Sequence, residues 1–179
     1  LSFKVFYNPW PTVQKLYVGV VVTDDQERLS AESGEGTWVY DHLEIYVDGN
    51  HNHSGNYTYP ADFQQYLFYL NSTGEVYGAG TLTGCDWAFT KAGTTYTFEI
   101  GFTVYDNYDT AAHILQPGQT IGFDLSWPDQ DDGASDSWIS WSPSGGKWND
   151  SALFGNLNLG AMQDLPPITA TGDTWLLFE

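Results

Sequence analysis

From Asp41 to Asp48 the chain reads Asp-His-Leu-Glu-Ile-Tyr-Val-Asp, and its polar side chains recur at every second position. His42, Glu44, Tyr46 and Asp48 fall on one side of a strand of period two, with Leu43, Ile45 and Val47 on the other. The pattern assigns the first side to the accessible face. A carboxylate beside a ring, entered through Trp38 and Tyr40, is a set of groups that suits a neutral sugar. Sugar hydroxyls take charge-assisted hydrogen bonds, and the flat C–H faces of the ring take an aromatic surface. Read alone, the strand is equally an ordinary sheet element whose outer face carries Glu and Tyr.

Other groups extend that chemistry. Most of the eight tryptophans must be core in a sandwich of this size, and Trp127 and Trp175 lie inside strand patterns and are expected to be buried. Trp38 and Trp148 sit instead in polar or glycine-rich settings at strand edges, where stacking on a ligand explains their exposure. Trp141 and Tyr40 stand in reserve. Calcium takes six to eight oxygens from carboxylates, carbonyls and water. Asp48 and Asp62 bracket a loop that a hard cation would pin, and Asp129, Asp131 and Asp132 form a second acidic group, in neither case with EF-hand spacing. His51 and His53 lie two apart without an evident third ligand. Cys85 is alone, so no disulfide forms within the chain, and it reads as a small buried hydrophobe. No Ser-His or Cys-His motif stands out, which leaves catalysis as the third choice.

These residues need strands to hold them. Phe3 to Tyr7, Lys15 to Thr23, Phe63 to Leu70, Glu75 to Tyr77, Tyr96 to Val104, Thr120 to Trp127, Ser137 to Ser142, Phe154 to Leu159 and Thr174 to Phe178 all read as strands, with a further short one at Trp87. Residues 24–36 and 49–61 read as loops, Pro128 to Asp136 as an acidic loop, and Pro143 to Lys147 as a glycine-serine turn that presents Trp148. Apolar residues on both sides of Leu16 to Val22 make that strand central. In Tyr96 to Val104, Tyr96, Phe98, Ile100 and Phe102 point inward. Regular strand spacing with no amphipathic helix predicts an all-β, antiparallel β-sandwich with little helix, formed by residues 1–179 as one domain.

Charge narrows the partners. The formal net charge is -18, with 23 acidic residues against five Lys plus Arg. Nucleic acid and anionic membrane surfaces both need a basic patch and are excluded as partners, and no stretch is apolar enough for membrane insertion. The chain starts at Leu1 and has no signal peptide. The expectation is a monomeric domain trimmed from a larger secreted, extracellular protein. Asn56, Asn71 and Asn149 open N-x-Ser/Thr triplets.

An ordered set of segments resembles the family 9 carbohydrate-binding modules and the wider DOMON-like superfamily. It begins with Leu16 to Asp25, continues through Trp38 with Asp41 to Asp48, Asp62 to Tyr66 and Tyr96 to Ile100, and ends with Ile121 to Asp124, the acidic loop, Trp141, and Trp148-Asn149-Asp150 running into Phe154-Gly155. The resemblance implies a β-sandwich, bound calcium, and a slot between two tryptophans for the ends of β-glucan and xylan chains. By position Trp38 and Trp148 would be the walls, with Glu44 and Gln65 bonding hydroxyls. The family's arginine after the Gln-Tyr pair is replaced by Leu67, the only arginine being Arg28, and the acidic loop reads Ala134-Ser135 where a cation is expected. Relatives in the superfamily bind haem through Met with His or Lys, but Met162 is the only methionine and lies outside the matched segments. The expected function is a non-catalytic module binding a neutral polysaccharide or oligosaccharide, with a haem electron-transfer domain or a glycan-active enzyme domain as alternatives. Only Lys147 places a cation beside a proposed stacking residue, which disfavours uronate-rich polymers. The tail beyond Gly160 has no counterpart.

Overall fold

A computed structural model describes residues 1–8, 14–29, 39–53, 62–131 and 137–160. Among these, the regular elements are strands and 3-10 turns, with no α-helix. In chain order they are β1 (Ser2–Tyr7), β2 (Leu16–Thr23), β3 (His42–Asp48), β4 (Gln64–Tyr69), β5 (Gly74–Val76), β6 (Cys85–Ala92), β7 (Thr95–Phe102), β8 (Tyr105–Asn107), β9 (Ala111–Ala112), β10 (Thr120–Asp129), β11 (Ser137–Ser140) and β12 (Gly155–Asn158). All the pairings are antiparallel.

One sheet runs β1-β2-β7-β6; the other runs β11-β10-β3-β4-β5, with β12 also on β10. β10 is long enough to serve three partners. Gly122 to Ser126 pair with β3, while the opposite edge is shared by β12, against Thr120 to Phe123, and β11, against Ser126 to Asp129. β8 and β9 form a small hairpin that the sequence reading lacked.

Alternation builds the core. Leu16, Val18, Val20 and Val22 of β2 and Tyr96, Phe98, Ile100 and Phe102 of β7 face Leu43, Ile45 and Val47 of β3 and Phe123, Leu125 and Trp127 of β10 in one buried cluster. Trp127 is core, as its strand pattern requires. Trp175 and the strand predicted at Thr174 to Phe178 lie outside the described residues. Cys85 packs against the core, and burial pushes its thiol up to about 12, so it is inert at neutral pH.

Two expectations need correction. The acidic loop does not begin at Pro128, because β10 continues through Pro128 to Asp129, paired with Trp138 and Ser137 of β11. Proline is tolerated there because the ladder to β3 has ended at Ser126 and one edge no longer needs its donor. The face of β3 that carries His42, Glu44, Tyr46 and Asp48 is not accessible; every residue of β3 is buried on both faces. Its polar side chains satisfy one another closely enough to be covered.

Candidate functional site

Register places a row of polar residues across the outer face of the larger sheet. Ser126 of β10 stands opposite Glu44 on one side and Ser140 on the other, and Tyr46 lies between Asp124 and Gln65. Glu44 is the hub. Its Oε2 accepts from the hydroxyls of Tyr46 (2.7 Å) and Ser126 (2.7 Å), and its Oε1 accepts from Gln65 Nε2 (3.0 Å) and faces His42 Nε2 at 3.1 Å. A carboxylate offers about four lone-pair sites, so all are engaged. Burial pushes Glu44 up, but the bond and charge of His42, then the bonds of Ser126 and Tyr46, outweigh it and hold the carboxyl below its ordinary value. His42 Nδ1 lies 2.6 Å from the Tyr40 carbonyl oxygen, which can only accept. Both ring nitrogens thus face acceptor oxygens, one on the Tyr40 carbonyl and one on the Glu44 carboxylate.

A second buried pair stands one strand away. Lys147 Nζ donates to Asp124 Oδ1 at 2.9 Å, to the Ser142 carbonyl at 2.6 Å and to Ser140 Oγ, while the Asp124 carboxylate also accepts from the amides of Leu125, Ser142 and Gly155. The sequence reading took Lys147 as a cation beside a stacking residue. It is instead neutralised inside the protein, 3% exposed at its side chain. This pair anchors the turn that carries Trp148. Gly146 adopts φ 82°, a left-handed conformation that favours glycine, and the 3-10 turn Lys147–Asn149 then sends Lys147 inward and leaves Trp148 47% exposed. A second 3-10 turn, Ser151–Leu153, is capped by Asp150, whose side chain accepts from the Ala152 amide, and it leads into Phe154. Phe154 packs on Tyr46 and Phe63 as a small separate core over this face.

Trp141 is 39% exposed, rests its ring on Phe3 and Phe123, and covers Gly155, where an added Cβ would come within 2.8 Å of the indole. Tyr40 is half-buried, with the Arg28 guanidinium over its ring at 5.3 Å. Gln65 is buried and bonded to Glu44 and Tyr46. Trp38 lies outside the described residues. Glu44, Gln65 and Tyr46 are therefore brought together with His42, Ser126, Asp124 and Lys147, partners the sequence reading did not assign to the site. Only the polar alternation of β10, Gly-Phe-Asp-Leu-Ser-Trp, signalled Asp124 and Ser126.

The acidic residues divide differently from the sequence reading. Among the described residues, one group of three converges: Asp24, Asp129 and Asp131, with carboxylate oxygens within 4.8 Å of one another. Asp24 is the member that sequence spacing missed; it directly follows β2, over a hundred residues from the others. Its Oδ1 accepts from the Gln26 amide, but its Oδ2 is buried without a partner, as is Asp129 Oδ1. Burial, then the charges of Asp41, Asp129 and Asp131, push Asp24 up to about 6 against the pull of the Gln26 amide. Nearby, Asp41 receives the amides of Arg28 and Gln130, and Gln26 Nε2 donates to the Asp131 carbonyl. The loop after β2 is thus clipped to the end of β10. Asp48 is not in such a group. It lies buried, its Oδ2 accepting from the His53 amide at 3.1 Å, and among the described residues neither it nor Asp62 falls in a group of three. His51 and His53 instead stack edge to face and bond Asn156 and the Ser151 carbonyl.

Comparison with known proteins agrees with this architecture. The family described as "Carbohydrate family 9 binding domain-like" matches residues 3–161. Exoglucanase XynX of Acetivibrio thermocellus is 30% identical over 146 residues, covering 80% of this chain and 12% of the relative. Endo-1,4-beta-xylanase A of Thermotoga maritima is 30% identical over 146 residues, covering 80% and 13%. The chain thus spans about an eighth of the length of these relatives. A family 9 carbohydrate-binding module from Caldicellulosiruptor kristjanssonii in complex with glucose has a TM-score of 0.69 at 21% identity, covering 92% of this chain and 79% of that one. The complex with cellotriose gives 0.66 at 21% identity, covering 90% and 75%. Both share the fold. The chain belongs to the family 9 carbohydrate-binding modules, and it is a carbohydrate-binding, non-catalytic domain.

Proposed function

We propose that this module holds a neutral glycan of the β-glucan or xylan type, chain ends included, over the Glu44 cluster, with Trp148 and Trp38 as stacking walls. The observation that carries the reading is Trp148, half exposed on a turn whose neighbour Lys147 is locked to Asp124 beside that cluster. A rigid aromatic surface loses little entropy on stacking a sugar. Charge supports a neutral ligand. Glu44 is matched by His42 and Asp124 by Lys147, so these two pairs present no spare cation to a uronate. With its lone pairs already engaged, Glu44 would bond a sugar hydroxyl by exchanging a protein donor, the Ser126 or Tyr46 hydroxyl, for the sugar's. That exchange conserves hydrogen bonds where the displaced hydroxyl bonds a sugar oxygen in turn. Tyr40 would border the slot and Gln65 would offer a further polar contact, whereas Trp141, packed on Phe3 and Phe123, lies on the side of the opposite sheet. The ligands in the related complexes, glucose and cellotriose, are neutral.

The reading includes calcium. The buried, unpartnered oxygens of Asp24 and Asp129 fit a hard cation, and Asp24, Asp129 and Asp131 would hold it, coupling the end of β2 in one sheet to the end of β10 in the other. Asp48 and Asp62 remain weaker candidates for a second ion. We place the module, as a monomer, within a larger secreted glycan-degrading protein, on the strength of the xylanase and exoglucanase relatives of which it matches a small part. No described helix is long and apolar enough to cross a membrane.

A glycan array followed by calorimetry with Trp38→Ala and Trp148→Ala tests the slot. Both variants should lose most of the affinity for neutral oligosaccharides. Undiminished binding in both, or tight binding to alginate or pectin in chelator with none to neutral chains, would overturn it.

A further inference from the structure

We infer that Trp138 forms an additional stacking platform on edge strand β11, contacting sugar units of the same neutral chain beyond those held at the Glu44–Trp148 slot. The inference rests on the proposed glycan reading and extends it. Trp138 is 53% exposed, the most exposed large apolar residue in the described structure, and among the described residues no ring packs against it. Register fixes its side. Ser140 stands opposite Ser126, which stands opposite Glu44, and Trp138 is two residues from Ser140, so it points to the same outer face. Ser140 itself bonds Asp124 and Lys147, so one short strand joins the anchor of Trp148 to Trp138.

The span is right for a chain. Two strand spacings across and two residues along separate the Cα atoms of Glu44 and Trp138 by about 12 Å, more than a monosaccharide can bridge and within reach of a short oligosaccharide. Strand chemistry agrees. Edge strands are ordinarily protected by charge or proline on the exposed strand, yet β11 reads Ser-Trp-Ile-Ser, without a charge. A large indole with serine hydroxyls beside it suits a flat, hydroxylated ribbon. A second copy of this chain pairing along β11 is the competing occupant. Continuity with the Glu44 row favours the glycan.

The test is calorimetry on the full chain and on Trp138→Ala and Trp138→Phe, with glucose, cellotriose and cellohexaose, alongside sedimentation of each protein. Wild type should bind cellohexaose more tightly than cellotriose. Trp138→Ala should lose that gain, about two- to tenfold in affinity for one aromatic platform, with glucose, too short to reach Trp138, bound as before; Trp138→Phe should keep most of it. If Trp138→Ala retains the full dependence on chain length, or wild type shows none beyond cellotriose, the platform is overturned while the slot stands. If wild type binds no neutral glycan, slot and platform fall together. If the substitution dissolves a dimer instead, β11 is a contact between copies and the platform is likewise overturned.

Discussion

Two groups of carboxylates, one buried and one half-buried, gather in this sandwich, and they solve opposite problems. On the outer face of the larger sheet, Glu44 is surrounded by its own donors, Tyr46, Ser126, Gln65 and His42, and Asp124 by Lys147 and three amides. At the ends of β2 and β10, Asp24, Asp129 and Asp131 bring carboxylate oxygens within 4.8 Å of one another, with the Arg28 guanidinium on the neighbouring Gln130 carbonyl. The first group is complete without a ligand and offers rigid, electrically balanced walls. The second is incomplete, with unpartnered oxygens on Asp24 and Asp129. A carboxylate with its donors built in prepares a surface for a neutral guest; one without them is a demand for a cation.

Removing a carboxylate should therefore act with opposite signs in the two places. The largest expected effect is Glu44→Ala, which leaves four buried donors without an acceptor, His42 among them. It should cost about 4–5 kcal/mol, the upper end for breaking a buried charged pair, read as a drop in the urea midpoint at unchanged slope. Glu44→Gln, which keeps the shape, should cost less. Lys147→Met comes next, at about 3 kcal/mol, because Asp124 keeps its backbone amides. It should also weaken glycan binding beyond the stability loss, since the turn holding Trp148 loses its anchor. Stability retained in both Glu44→Ala and Lys147→Met would mean that the floor of the slot is not the built structure described above.

Asp24→Asn should do the reverse. In chelator the variant should be as stable as wild type or more so, because it removes a buried carboxylate crowded by Asp41, Asp129 and Asp131. Calcium should raise the melting point of wild type, by about 2.7 kcal/mol of stabilisation at a hundred times the dissociation constant, and leave Asp24→Asn nearly unmoved. Thermal melts with and without calcium check both. A full calcium response in Asp24→Asn would transfer the ion elsewhere, with Asp48 and Asp62 the next candidates, and would erase the contrast drawn here.

The sequence carried one of these groups far better than the other. Alternation from His42 to Asp48 assigns each side chain to a face correctly, and the same reasoning places the inward residues of β7 and the turn before Trp148. Period two says nothing about what closes over a face. Glu44 is capped by Ser126, 82 positions away, and no local pattern announces that contact. The acidic group was half legible: Asp129 and Asp131 stand together in the sequence, whereas Asp24 reaches them only because β2 and β10 end at the same edge of the sandwich. Lys147 was misread because a lysine in a glycine-serine turn is ordinarily solvated, and only Asp124 explains its burial. Trp138 looked like one more strand residue until register put it beside the Glu44 row.

The smallest effect concerns acid. His42, then Ser126 and Tyr46, hold Glu44 below its ordinary value in the folded protein despite its burial, while in the unfolded chain it titrates near about 4.3. A depressed carboxylate contributes stability that is fully present above the unfolded value and is lost as pH falls through the folded one. From Glu44 the folded protein should therefore gain nothing further on moving from pH 6 to pH 8, and should lose stability progressively below pH about 4. The comparison with Glu44→Gln isolates this contribution, since the amide cannot titrate. Plotted against pH, the stability difference between wild type and Glu44→Gln should be flat at neutral pH and shrink in acid. A difference that grows as pH falls would mean that burial dominates and that the folded protein holds Glu44 as the neutral acid.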